Sequence, residues 1–175
     1  MPITRVKPQP PLRTAPNRPP PRLPELPRPP HLLLERLLRA AAASGAASPD
    51  VLAKGKMRYM TICIACHQPT GMGLPMVFPS LVKSPYVNGP TDRFAAIILK
   101  GNIGAFTVDG KPFNNVMPPQ EAVLRDEDIA AVMTFVRSNF GNTSGPVAPD
   151  VVTAARKKFA DRKTSWTQPE LDAWK

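Results

Sequence analysis

The sequence predicts an all-α fold: one compact domain of three to four helices with long loops. Three observations carry this. A helical apolar stripe runs through "SPDVLAKGKMRYMTICIACH", a second runs through "RDEDIAAVMTFVRSNFG", and no segment alternates well enough to claim a sheet. The loops joining the helices are long for a compact domain, which points to something enclosed between them.

In the first stripe Val51, Leu52, Gly55, Tyr59, Ile62, Cys63 and Cys66 recur every three or four residues, with Lys54, Lys56 and Arg58 between them. Ser48 or Asp50 can cap its start, and Pro49 suits the first turn, where its missing N–H costs nothing. Gly55 is out of place on propensity, costing about 1 kcal/mol against alanine, so another backbone should approach it closely. The short stretch "TDRFAAIILKG" reads as a helix opened by Thr91 or Asp92 and closed by Gly101. In the last stripe, residues 125 to 141, Ile129, Val132, Met133, Val136 and Phe140 share a face. Asp126, Glu127 and Asp128 sit at the positive end of its dipole, and Gly141 can stop it. These helices bound a body at residues 50–142.

On either side of that body the composition changes. Of the 24 prolines, half lie in the first 30 residues, where they fix φ and remove donors, so residues 1–49 read as an extended basic arm. The formal net charge is +10; residues 1–49 carry eight Lys and Arg against two acids, whereas residues 50–142 carry nine against seven. The excess charge belongs to the arm. Interleaved with prolines and lacking aromatic stacking platforms, it does not make a nucleic-acid surface. "HLLLERLLRAAAASGAAS" supports two readings equally. It is an atypical export leader with small residues at 45–47, or a short amphipathic linker helix; a true start downstream stays open as well. It is too short to span a membrane. Residues 143–175 read as a helical extension, with one helix capped by Asp150 and a capping-box pattern from Thr167 to Glu170. Trp166 and Trp174 are expected to pack back on the body or to meet a partner.

Both cysteines and one of the two histidines fall in Cys63–His67. A structural zinc site wants four ligands, and the other histidine, His31, is far off in the arm. A thioredoxin-like pair opens a helix after a strand, whereas these cysteines close a helix. C-x-x-C-H fits covalent haem: Cys63 and Cys66 as thioether anchors, His67 as an iron ligand.

Gly55, Tyr59, Cys63, Cys66 and His67, with Val132, Phe135 and Val136 on the last helix, resemble the class I cytochrome c family. The resemblance covers residues 50–142. It implies a class I cytochrome c fold around one covalently bound haem c, with Pro79 and Leu81 of "GLPMVFPSL" near the histidine side. Arg125 departs from the Ser or Thr cap common in the family.

For the sixth iron position Met57, Met60, Met72, Met76, Met117 and Met133 compete. The first two precede the anchor on its own helix, and Met133 sits on a core stripe. Met72 is too near His67 to pass round a macrocycle, and prolines 75 and 79 hamper Met76. Met117, in "FNNVMPPQ", lies 50 residues past the histidine and matches the family's Met-Pro motif. Asn114 and Asn115 beside it can donate hydrogen bonds to the site or simply make the turn. His67 and Met117 as axial metal ligands imply an electron carrier rather than an enzyme.

The alternatives are a haem subunit of a larger dehydrogenase or oxidase complex, or a five-coordinate haem enzyme or sensor if Met117 does not bind. The resemblance implies haem attachment beyond the bacterial inner membrane, hence a periplasmic or otherwise exported protein. Its expected partners are redox proteins, such as a periplasmic dehydrogenase or terminal oxidase; membrane association is left open. Extensions like residues 143–175 resemble those on cytochromes that serve sugar- and alcohol-oxidising dehydrogenases.

Overall fold

A computed structural model describes residues 47–174. The basic arm up to residue 46, including His31 and nearly all of the leucine- and alanine-rich stretch, lies outside the described residues.

Helix α1 (Pro49–Arg58) starts with Ser48, whose side chain accepts from the Val51 amide at 3.3 Å, and with Pro49 in the first turn. It runs on through one π-helical turn, Tyr59–Cys63, into the short α2 (Ile64–His67). The wide turn displaces the residues after it around the helix axis, and it falls on the first cysteine. Positive φ at Gln68 (61°) then breaks the helix immediately after His67.

Two short helices follow, α3 (Pro85–Asn88) and α4 (Thr91–Lys100). Helix α4 is buried from Phe94 through Lys100 and stops at Gly101, whose φ of +69° is the left-handed conformation that glycine adopts without strain. Neither Thr91 nor Asp92 caps it; Pro90 occupies the cap position without a side-chain bond. The buried Lys100 ammonium is matched by Glu121 at 2.7 Å.

The expectation that no segment pairs as a sheet is corrected by an antiparallel hairpin, β1 (Ala105–Val108) and β2 (Lys111–Asn114). Its turn is Asp109-Gly110, both at positive φ (51° and 72°), the pair that two-residue hairpins favour. Phe106, Val108 and Phe113 point inward. The fold is otherwise helical.

Helix α5 (Asp126–Arg137) is the centre of the body, buried from Asp128 through Arg137. It ends at Arg137, short of the expected 141, because side chains take over its last carbonyls. Ser138 Oγ donates to Thr134 O (2.8 Å), Asn139 Nδ2 to Phe135 O (2.9 Å) and Asn142 Nδ2 to Val136 O (2.9 Å). Phe140 therefore leaves the helix stripe and joins Tyr59 and Phe135 in an aromatic trio with centroids 5.2–5.7 Å apart.

The extension folds back on the body. Helix α6 (Pro149–Lys158) lies on α4 and α5, burying Val152 and Ala155. Ala148, not Asp150, holds its cap position; Asp150 sits in the first turn, accepting from the Val151 amide at 2.9 Å. Arg156 fastens it to Asp126 Oδ1 (2.8 Å), Glu121 O (2.8 Å) and Leu124 O (3.0 Å). Helix α7 (Gln168–Asp172) carries the capping box, with the Thr167 N–H donating to Glu170 Oε2 at 2.8 Å, and both Trp166 and Trp174 pack back on the chain.

Candidate cofactor site

An apolar cleft, open to solvent at its mouth, lies among these elements. Such a concave, mostly apolar surface with a few convergent polar groups is the usual form of a cofactor site. Its walls include Tyr59, Leu81, Phe94, Ile98, Phe106 and Val132, from the first helix, the loop after it, α4, the hairpin and α5. Nearly every wall is hydrocarbon.

Cys63, Cys66 and His67 stand on one wall, brought together by the π turn and the short helix after it. Both cysteines are free thiols. Burial pushes the Cys63 thiol up to about 11, and the neighbouring Cys66 adds to this, so near neutrality it is a protonated thiol. Among the described residues no three His, Cys, Asp or Glu side chains gather as a metal-binding group.

The loop after α2 fixes the histidine. Gly71 and Gly73 take positive φ (70° and 66°), and a side chain on Gly73 would run into the carbonyls of Phe78 and Pro79. This tight reversal carries the Pro79 carbonyl to 3.2 Å from His67 Nδ1. A carbonyl only accepts, so Nδ1 bears the proton and Nε2 keeps its lone pair for a metal. Burial lowers the imidazole pKa, the Pro79 bond opposing it, so the ring is neutral, as a metal ligand must be. Asn142 holds the same loop to the end of α5, donating to Leu81 O at 3.0 Å and accepting from the Lys83 amide at 2.8 Å.

Met117 reaches the cleft from the segment between β2 and α5, and of the six candidate methionines it alone lines the cleft. Met57, Met60, Met72 and Met76 are 43–69% exposed, and Met133 is fully buried in the core without lining the cleft. Asn115 also lines it, with its side-chain oxygen accepting from the Val116 amide at 2.8 Å, whereas Asn114 ends β2 opposite Ala105.

The wall supplied by Phe106, Val108 and Phe113 was not anticipated from sequence, although the Asp109-Gly110 pair between apolar residues signals it. Two thiols and an imidazole at one side of an apolar slot, with a thioether on the same slot, fit haem c; the neutral imidazole and the soft sulfur suit its iron.

Comparison with known proteins agrees. The family model described as cytochrome c matches residues 52–140, half of the chain. Cytochrome c-552 of Thermus thermophilus is 33% identical over 84 residues, which are 46% of this chain and 63% of that protein. The fructose dehydrogenase cytochrome subunit of Gluconobacter japonicus is 33% identical over 112 residues (58% of this chain, 22% of the subunit). The gluconate 2-dehydrogenase cytochrome c subunit of Pantoea cypripedii is 30% identical over 91 residues (50% and 20%). The chain thus spans less than two thirds of each of these relatives. The match falls on the helices and loops that build the cleft, and the chain belongs to the cytochrome c family, whose cofactor is covalently bound haem c.

Proposed function

We propose that this chain is a monohaem electron carrier, not a catalyst, in which Cys63 and Cys66 bind haem c as thioethers and His67 and Met117 are the axial ligands. The observation that carries the reading is the meeting of all four side chains on one apolar cleft. Bound haem supplies an iron that cycles between ferric and ferrous states. The chain's own residues do the rest: Pro79 orients His67, the apolar walls keep water out, and the thioether, where it ligates, favours the reduced metal. The haem-binding body is assigned to residues 50–142, which the family match at 52–140 supports, and residues 143–175 to an extension of it.

The test is to produce the protein in a host that attaches c-type haem, denature it and extract with acid acetone. Haem should stay with the chain, and should be lost from Cys63→Ser/Cys66→Ser; free extraction from the unsubstituted protein rejects the proposal.

Thioether attachment in this family takes place beyond the bacterial inner membrane, which supports a periplasmic or otherwise exported location. No helix among the described residues is long and apolar enough to cross a membrane. Terminal sequencing of mature holoprotein checks export; an intact Met1 on cytoplasmic holoprotein contradicts it. Relatives named as dehydrogenase cytochrome subunits favour a second reading, in which the chain passes electrons within or from a dehydrogenase complex. Co-purification of the holoprotein with a dehydrogenase would distinguish it from a free carrier.

A further inference from the structure

The backbone of Met117 is tied at one place. Its N–H donates to Asn102 O at 2.9 Å, and its carbonyl accepts from the Asn102 N–H at 3.1 Å. Just before it Val116 is 48% exposed, and just after it Pro118 has no N–H to donate. Asn102 is not itself on a regular element. It lies in the link between α4 and β1, between Gly101 and Gly104, both at positive φ (69° and 91°). Such a link is soft unless something pairs with its other edge.

Trp166 does. Its N–H donates to Gly101 O at 3.0 Å, and its carbonyl accepts from the Ile103 N–H at 2.9 Å, so the extension runs parallel to the link as a third strand: 166, 102, 117. Trp166 is in turn held firmly. Its indole Nε1 donates to Ala96 O at 3.0 Å, the Arg162 guanidinium lies 3.6 Å over its ring, and Phe159 meets the ring edge-on at 5.1 Å. Two residues on, Gln168 bonds both backbone groups of Thr107 in β1 (2.7 and 3.1 Å), bracing the hairpin wall as well.

We propose that Trp166 is a positioning residue: the C-terminal extension, through the ladder Trp166–Asn102–Met117, holds the Met117 loop at the iron and so limits how often the sixth position opens. The inference rests on the reading of Met117 as an axial ligand. Buried ladder bonds open only with the local structure that carries them, so removing the outer strand should raise the opening rate of the inner one.

The test uses full-length holoprotein with Trp166→Ala, Trp166→Phe and Trp174→Ala. Amide hydrogen exchange is read at Ile103 and Met117, and cyanide capture by the ferric protein is read in parallel. Trp166→Ala should speed exchange at both amides and cyanide capture by roughly tenfold or more. Trp166→Phe, which keeps a ring in the cluster, should recover most of the difference. Trp174→Ala trims the same aromatic cluster but touches no ladder backbone, and should leave both readouts unchanged.

Unchanged exchange at Ile103 and Met117 in Trp166→Ala overturns the proposal. So does acceleration spread equally to Leu99 and Met133, or equal acceleration in Trp174→Ala, since either would make Trp166 merely structural. If the unsubstituted protein lacks the sulfur-to-iron charge-transfer band, the ligand reading itself fails and takes this proposal with it. An intact band with unchanged exchange rejects the brace alone.

Discussion

Gly55 rests directly on the backbone carbonyl of Ala131 where α1 crosses α5. A Cβ built on the glycine would lie within the contact radius of that oxygen and only 2.8 Å from Phe135 Cβ. Neither neighbour can yield, since one is backbone and the other is attached to it. The crossing sets how α1 meets α5, and thus where the π turn puts Cys63.

Gly55→Ala should therefore destabilise the protein even though alanine is the better helix former by about 1 kcal/mol. Overpacking of this kind typically costs about 1–3 kcal/mol, and it has to exceed the propensity gain. Thermal unfolding of the holoprotein should show a lowered Tm, with Gly55→Val lower still. A Tm raised by alanine would mean the helices cross elsewhere.

Asp128 joins the same two helices and confers a pH dependence. It is buried, and its carboxylate accepts from Lys54 and Arg58 at 3.2 Å each, with Arg125 at 3.8 Å. Burial alone would raise its pKa, but the bonds and charges of Lys54 and Arg58 outweigh it and hold the group below its ordinary 3.8. A folded pKa below the unfolded one gives stability that is full above the unfolded value and is lost as pH falls through the folded value. The parent protein should therefore lose part of its stability below about pH 4, and the gap between it and Asp128→Asn should narrow there. Asp126 and Glu170 are lowered in the same sense, so the difference between the two proteins, not the parent curve, is the measurement. A gap constant from pH 7 to pH 3 would contradict the assignment.

Much of this site could be read from local pattern. The crossing at Gly55, the stop at Gly101 and the cysteine-histidine run each leave a mark within a few residues, because backbone freedom and covalent chemistry need particular residue types at fixed spacing. The hairpin was harder. Lys111 and Pro112 dilute its alternation, and only the Asp109-Gly110 turn marks it. The end of α5 was misplaced because Ser138, Asn139 and Asn142 satisfy its carbonyls with side chains, a competition that apolar periodicity does not register. The ladder through Asn102 was invisible for a different reason: it pairs Trp166 with residues more than 60 positions earlier, and no local signal encodes such a register.

Gly73 offers a test of the histidine side. At φ +66° and pressed against the Phe78 and Pro79 carbonyls, it admits no side chain without moving Pro79, the partner of His67 Nδ1. Gly73→Ala should lower stability by roughly 1–3 kcal/mol through the strained conformation. It should also shift the midpoint potential, because partners behind a metal-bound histidine tune its basicity. An unchanged potential in folded holoprotein would show that the Pro79 carbonyl does not govern the ligand.

The last prediction separates carrier from catalyst and rests on Met117 being the one methionine of the six candidates on the cleft. With His67 and Met117 both bound, the ferric protein should be low-spin, show the sulfur-to-iron charge-transfer band and take up cyanide or carbon monoxide slowly. Met117→Ala removes the thioether and leaves the position to water or an added ligand. The band should vanish, the potential fall and cyanide bind fast, since thioether ligation is what favours ferrous iron. Met76→Leu should leave the spectrum alone, because Met76 is 69% exposed and away from the cleft. Met133→Leu fills the same core volume and should cost less than about 1.5 kcal/mol, with the iron unaffected. Conversion to high spin by Met76→Leu, with Met117→Ala silent, would move the ligand to the other loop. A high-spin spectrum before any substitution would instead leave the sixth position open to substrates, and the protein would then be a haem enzyme or sensor.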